Sequence, residues 1–138
     1  MFKPSSREIP IEKQAATLLF IDVQNYNARR DGGEYVGMST TELNERFGYF
    51  FDIIERETIS NMQKIQTACR ASQIEVMYTV IESLTKDGRD RSLDYKITGF
   101  NVPRDSWDAQ VLEAIAPGDD EIVLSKTSSS VFISTNID

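Results

Sequence analysis

Residues 16–22 read Ala-Thr-Leu-Leu-Phe-Ile-Asp, a near-continuous apolar run ending abruptly in a charge. A strand facing water on one side would alternate apolar and polar residues, so this run needs cover on both faces. That requirement places it in a parallel sheet, where crossover helices supply the cover. Residues 74–81, Ile-Glu-Val-Met-Tyr-Thr-Val-Ile, are β-branched and alternating and read as a second strand. Residues 121–125 read as a third.

The intervening segments carry the helical period. Ser39-Thr-Thr-Glu42 is a capping box that starts a helix near Thr40. Leu43, Phe47, Phe50, Phe51 and Ile54, then Met62, Ile65 and Cys69, recur at three- and four-residue intervals, with Ser60 placed to restart the helix after an interruption. A shorter helix is expected from Asp105 or Ser106, with Trp107, Val111 and Ile115 inward, ending at Pro117-Gly118. Strand, helix, strand, helix, strand is the order of right-handed parallel crossovers in an α/β sheet. Residues 1–15 read as an arm with Pro4 and Pro10, residues 25–33 as a polar loop, and residues 82–103 as a long excursion of the kind that often binds. Thr135-Asn-Ile-Asp138 matches a helix-capping pattern with no helix after it; a frayed tail would also give such a match, but central strands need cover on both faces, so a further helix is expected. The length suits one domain, residues 1–138.

Composition narrows the function. A net charge of −7 with dispersed acids argues against nucleic acid, which needs a basic face. There is no run long enough to span a bilayer and no signal-peptide core, so a cytoplasmic protein without a membrane partner is expected. One cysteine cannot form an internal disulfide, and the lack of histidine removes the commonest metal ligand and the usual general base. Catalysis would have to use carboxylate, amine, hydroxyl or thiol.

Two charges are placed alike. Asp22 follows the first strand and Lys126 follows the third. A charge at a buried strand end is costly unless paired, and in open α/β sheets that end is where ligands bind. The two ends therefore point to one site, with Asp22 as a proton shuttle and Lys126 able to stabilise a thiolate, orient Asp22 or hold developing charge. Gln24, Asn25 and Tyr26 could line a pocket or form a turn. Glu82, with Lys86, Arg89, Asp90 and Arg91, could meet a polar substrate or coat a solvated loop. Residues 127–132 add hydroxyls and the apolar Phe132, a further substrate-binding candidate. Cys69 lies on an apolar helix face, where cysteines are inert.

The motifs Leu18-Leu-Phe-Ile-Asp22-Val-Gln24-Asn25, Val76-Met-Tyr-Thr-Val80 and Glu121-Ile-Val-Leu-Ser-Lys126-Thr-Ser-Ser-Ser130-Val-Phe132, in this order, resemble the isochorismatase-like cysteine hydrolases. That family includes isochorismatases, nicotinamidases, ureidoacrylate amidohydrolases and biuret hydrolases. The resemblance spans residues 16–138 and implies a Rossmann-type three-layer sandwich, of which this chain would be the first half. It implies that Asp22 takes the proton from the family cysteine and that Lys126 stands beside it. In the family that cysteine opens a helix after the next strand, so the 138-residue chain alone is expected to be inactive. The family order 3-2-1-4-5-6 would leave the first strand at an edge, where it invites association. No metal site is expected, because the nicotinamidase metal uses histidine, and no cofactor is implied. The implied substrate is a small amide or ureide, closest to the ureidoacrylate and biuret type, and a homo-oligomer is expected. Two other readings stay open: a non-catalytic relative that binds a small ligand or partner, and a Ser-Lys hydrolase using Lys126 with Ser128, Ser129 or Ser130.

Overall fold

The computed structural model describes Pro10 and residues 12–137, so most of the expected amino-terminal arm, and Asp138, lie outside the described residues. Three strands, β1 (Thr17–Ile21), β2 (Glu75–Ile81) and β3 (Ile122–Lys126), form one parallel sheet in the order β1-β2-β3. The helices are α1 (Asn25–Ala28), α2 (Thr40–Ile53), α3 (Ile59–Ala71), α4 (Leu93–Thr98) and α5 (Val131–Ser134). The central β2 pairs Leu18↔Val76 and Phe20↔Tyr78 on one side, and Thr79↔Leu124 and Ile81↔Lys126 on the other.

Alternation along β2 sorts its side chains between two cores. Val76 and Tyr78 join Phe20, Phe51, Ile54, Leu112 and Ile115 beneath α2 and α3, with the Phe20 and Tyr78 rings stacked at 5.4 Å. Ile81 joins the second cluster with Tyr26, Tyr95, Val102 and Ala109. The helices thus flank a parallel sheet, as the apolar run of β1 requires.

Helix α2 starts at Thr40 because the Ser39 hydroxyl accepts the Glu42 N–H at 3.2 Å, half of the capping box. The expected interruption near Ser60 takes another form. A π-helical turn, Ile54–Thr58, links α2 to α3 without breaking the backbone, since nothing there removes a donor or forces a positive φ. Three further expectations are corrected. Residues 25–33 contain α1, with Asn25, Tyr26 and Ala28 buried, because the polar side chains find buried backbone partners. The segment expected as a short helix forms two 3-10 turns, Trp107–Ala109 and Glu113–Ile115, because Gln110 and Val111 between them are extended and bond residues 23–25. The excursion, expected to stand outside the core, is built into the second core through α4, Phe100 and Val102.

Candidate active site

β1 ends at a residue that abandons the extended backbone. Asp22 has φ +55°, a left-handed conformation that aspartate tolerates better than most residues. Its N–H still bonds the Thr79 carbonyl at 2.9 Å, so the bend is pinned to β2. There the Thr79 hydroxyl donates to Asp22 Oδ1 at 2.9 Å, and Lys126 Nζ lies 2.9 Å from Oδ2. Both carboxylate oxygens are thereby fixed by groups on the other two strands.

Lys126 is 1 % exposed, which makes its pairing obligatory. Besides Asp22, Nζ donates to the carbonyls of Ser129 at 3.1 Å and Ser128 at 3.2 Å, and reaches the Tyr95 hydroxyl at 3.3 Å. An ammonium has three N–H donors, and four acceptors already surround this one. Lys126 can therefore act on a neighbour by its charge, with no donor to spare for a ligand.

Two cavities meet at Asp22. One, of about 380 Å³, is lined by Asp22, Asn27, Glu34, Tyr95, Phe100 and Lys126 among others. The second, of about 600 Å³, is largely apolar and runs under Phe47, Phe50 and Ile54, again with Asp22, Asn27 and Glu34 at its edge. Burial raises the Glu34 carboxyl above the usual carboxylate range. Burial first, then the charge of Glu34, pushes the Tyr26 and Tyr35 hydroxyls up to about 12, so both are neutral donors at ordinary pH. Among the described residues no group of three or more acidic or cysteine side chains is arranged to hold a metal.

The isochorismatase domain model matches residues 16–138, nearly the whole chain and all three strands. The chain belongs to the isochorismatase family. An N-carbamoylsarcosine amidase from Arthrobacter sp. is 37% identical over 97 residues, covering 66% of this chain and 37% of that protein. A cysteine hydrolase from Pseudomonas syringae pv. phaseolicola 1448A superposes with a TM-score of 0.66 at 25% identity, over 96% of this chain and 55% of that one. This isochorismatase-family chain thus spans between about a third and a little over half the length of those two relatives.

The other candidate residues occupy different positions in this family member. Gln24 is wholly buried, and its side chain is spent on backbone: Nε2 donates to the carbonyls of Ile81 at 3.0 Å and Asp108 at 2.9 Å, while Oε1 accepts the Ile81 N–H at 2.6 Å. Asn25 Nδ2 donates to the Trp107 carbonyl at 2.9 Å. Tyr26 packs against Phe100 in the second core. Glu82 accepts the Asp105 N–H at 2.9 Å and the Ser125 hydroxyl, tying β2 to β3 and to the following loop. Phe132 is 70 % exposed on α5. Asp90 staples its own loop by accepting the Leu84 and Thr85 N–H groups, and Arg91 donates to the Gly88 and Phe100 carbonyls. The Ser128 hydroxyl donates to the Ser130 carbonyl and the Ser129 hydroxyl to Asp94, so neither is directed at Lys126. Cys69 is packed against the first core.

Thr79, Tyr95, Asn27 and Glu34 escaped the sequence reading. Only Thr79 carried a signal: alternation puts it opposite Tyr78, a hydroxyl inside an apolar strand.

Proposed function

We propose that this chain carries the Asp-Lys portion of a cysteine-dependent amidohydrolase that cleaves a C–N bond in a small amide or ureide. The observation that carries the reading is the Asp22–Lys126 pair at 2.9 Å, enclosed at the carboxyl ends of β1 and β3 and open to a cavity. The amidase name of the Arthrobacter relative supports the bond type. The thiol comes from a cysteine outside residues 1–138, since the chain's one cysteine, Cys69, is packed against the core.

In this scheme Asp22 accepts the thiol proton as sulfur attacks the carbonyl carbon. The Lys126 charge keeps Asp22 oriented and stabilises the negative charge that develops beside it as sulfur attacks. When the tetrahedral intermediate collapses, the C–N bond breaks and the leaving nitrogen takes the proton from Asp22. Water, deprotonated by the same carboxylate, then hydrolyses the thioester. Thr79 holds Oδ1, which aims the other oxygen.

The test is ammonia or amine release from N-carbamoyl amino acids and biuret by the protein read through the codons that follow Asp138. Turnover that falls by about 10³ or more in Asp22→Asn and in the variant of the cysteine found there is the expected result. Undiminished turnover in Asp22→Asn, or no cysteine in the continued reading, would refute the scheme.

A further inference from the structure

The segment that follows β1 is held with unusual firmness yet presents two polar side chains that bond nothing in the described protein. Gln24 and Asn25 fasten its start to the backbone of residues 81, 107 and 108. The Tyr35 hydroxyl donates to the Asn27 carbonyl at 2.8 Å, and the Gly33 N–H donates to Asp108 at 3.1 Å. Gly32 lies against this turn so closely that a Cβ would sit 2.2 Å from the Tyr26 carbonyl oxygen. Against this fixed frame, Asn27 Oδ1 is buried with no hydrogen-bond partner. Glu34 likewise has no side-chain partner among the described residues. Both line each of the two cavities that meet at Asp22.

A buried acceptor without a donor costs about 1–3 kcal/mol, and the anchored backbone keeps Asn27 at the cleft. An N–H or O–H brought into the cleft would satisfy it. An anionic group is disfavoured there, because Asp22 and Glu34 are both acidic and Lys126 has its donors engaged.

We propose that Asn27 and Glu34 form a recognition pair for the N–H groups of a carbamoyl substituent, selecting a ureide over an amide or ester of the same shape. The assignment rests on the amidohydrolase reading and narrows its substrate class. Asn27 Oδ1 accepts one N–H of the terminal NH₂, Glu34 accepts the other, and the adjoining carbonyl carbon is presented to Asp22 and the thiol. Any carboxylate on the substrate points away from this end.

Isothermal titration of the full chain with N-carbamoylglycine and N-acetylglycine tests this, since the second probe replaces the terminal NH₂ by a methyl group of similar size. The expected result is binding about tenfold or more tighter for the carbamoyl compound, the loss of one to two good hydrogen bonds. Asn27→Leu and Glu34→Leu, each checked for an intact thermal transition, bring the ratio towards one. Glu34→Gln, which keeps an acceptor oxygen, retains most of the preference. Equal affinity of the wild-type chain for both probes, or a preference that survives both leucine variants, overturns the recognition pair and leaves the hydrolase reading standing. If neither probe binds, the recognition pair falls, and the hydrolase reading is decided by the turnover test alone.

Discussion

An ammonium enclosed like that of Lys126 is tolerable only while Asp22 opposes it, so each member of the pair should fail without the other. Lys126→Met leaves a carboxylate with one hydroxyl partner, and Asp22→Asn leaves a buried cation facing a neutral amide. Each should lower stability by about 3–5 kcal/mol in urea unfolding, whereas the double variant should recover much of that loss, because an uncompensated buried charge costs more than a missing pair. Additive losses would mean the two groups do not act together. Gln24 gives a contrasting case. Gln24→Leu would orphan the Ile81 N–H and carbonyl and the Asp108 carbonyl, and should cost about 2–4 kcal/mol. A loss below about 1 kcal/mol would show that water replaces the amide and that Gln24 does not anchor this turn. The sequence separates these residues only partly. Asp22 and Lys126 stand out because a charge terminates an apolar run, while Gln24 and Asn25 look the same on paper whether their amides face a ligand or a backbone carbonyl.

Between elements, α3 is fastened to the entry of β3 by a polar network rather than by apolar packing alone. Arg70 forks onto Glu121 at 2.8 and 2.7 Å, and Tyr78, 0 % exposed, donates to the same carboxylate at 3.2 Å while accepting from Gln66 at 2.7 Å. The Arg70 guanidinium, with the Gly118 N–H and the Tyr78 hydroxyl, holds the Glu121 carboxyl down at about 2. A depressed carboxylate binds fewer protons folded than unfolded, so it stabilises the fold above the ordinary glutamate range and loses that contribution as the pH falls towards 2. The melting temperature should therefore drop on acidification from pH 5 to pH 2.5, and Glu121→Gln should flatten that drop while lowering the melting temperature near pH 7. A variant with the unaltered acid slope would place the titrating group elsewhere. The strands and α2 were legible because their signals are local: an apolar run, an alternation, a capping box. The two 3-10 turns were not, since Trp107, Val111 and Ile115 fit a helical period. Their conformation is decided instead by bonds to residues 23–25, more than eighty positions away for the side-chain contacts.

At the scale of the whole molecule, the sheet is protected unevenly. β1 pairs only with β2, so its other edge is free among the described residues, although its apolar sequence suits a strand inside a sheet. Ile21 on β1, and Tyr49 and Phe50 on α2, are 61 %, 82 % and 43 % exposed. Two of them, Tyr49 and Phe50, also line the apolar cavity that opens next to Asp22. Each large apolar side chain left in water forgoes roughly 1.5–3 kcal/mol, and an unpaired flat edge offers a second chain a row of backbone donors and acceptors. The family resemblance anticipated an exposed first strand from strand order, whereas the apolar cavity beside it is a product of packing that no spacing rule reveals. The 138-residue polypeptide should accordingly self-associate through this edge, with a weight-average mass that rises with concentration in sedimentation equilibrium. Leu19→Lys, a charge on the edge strand away from the Asp22–Lys126 pair, should shift it towards monomer. A concentration-independent monomer with cooperative melting would show that the edge and the apolar surface beside it are tolerated in water, and would remove the case for an additional strand pairing there.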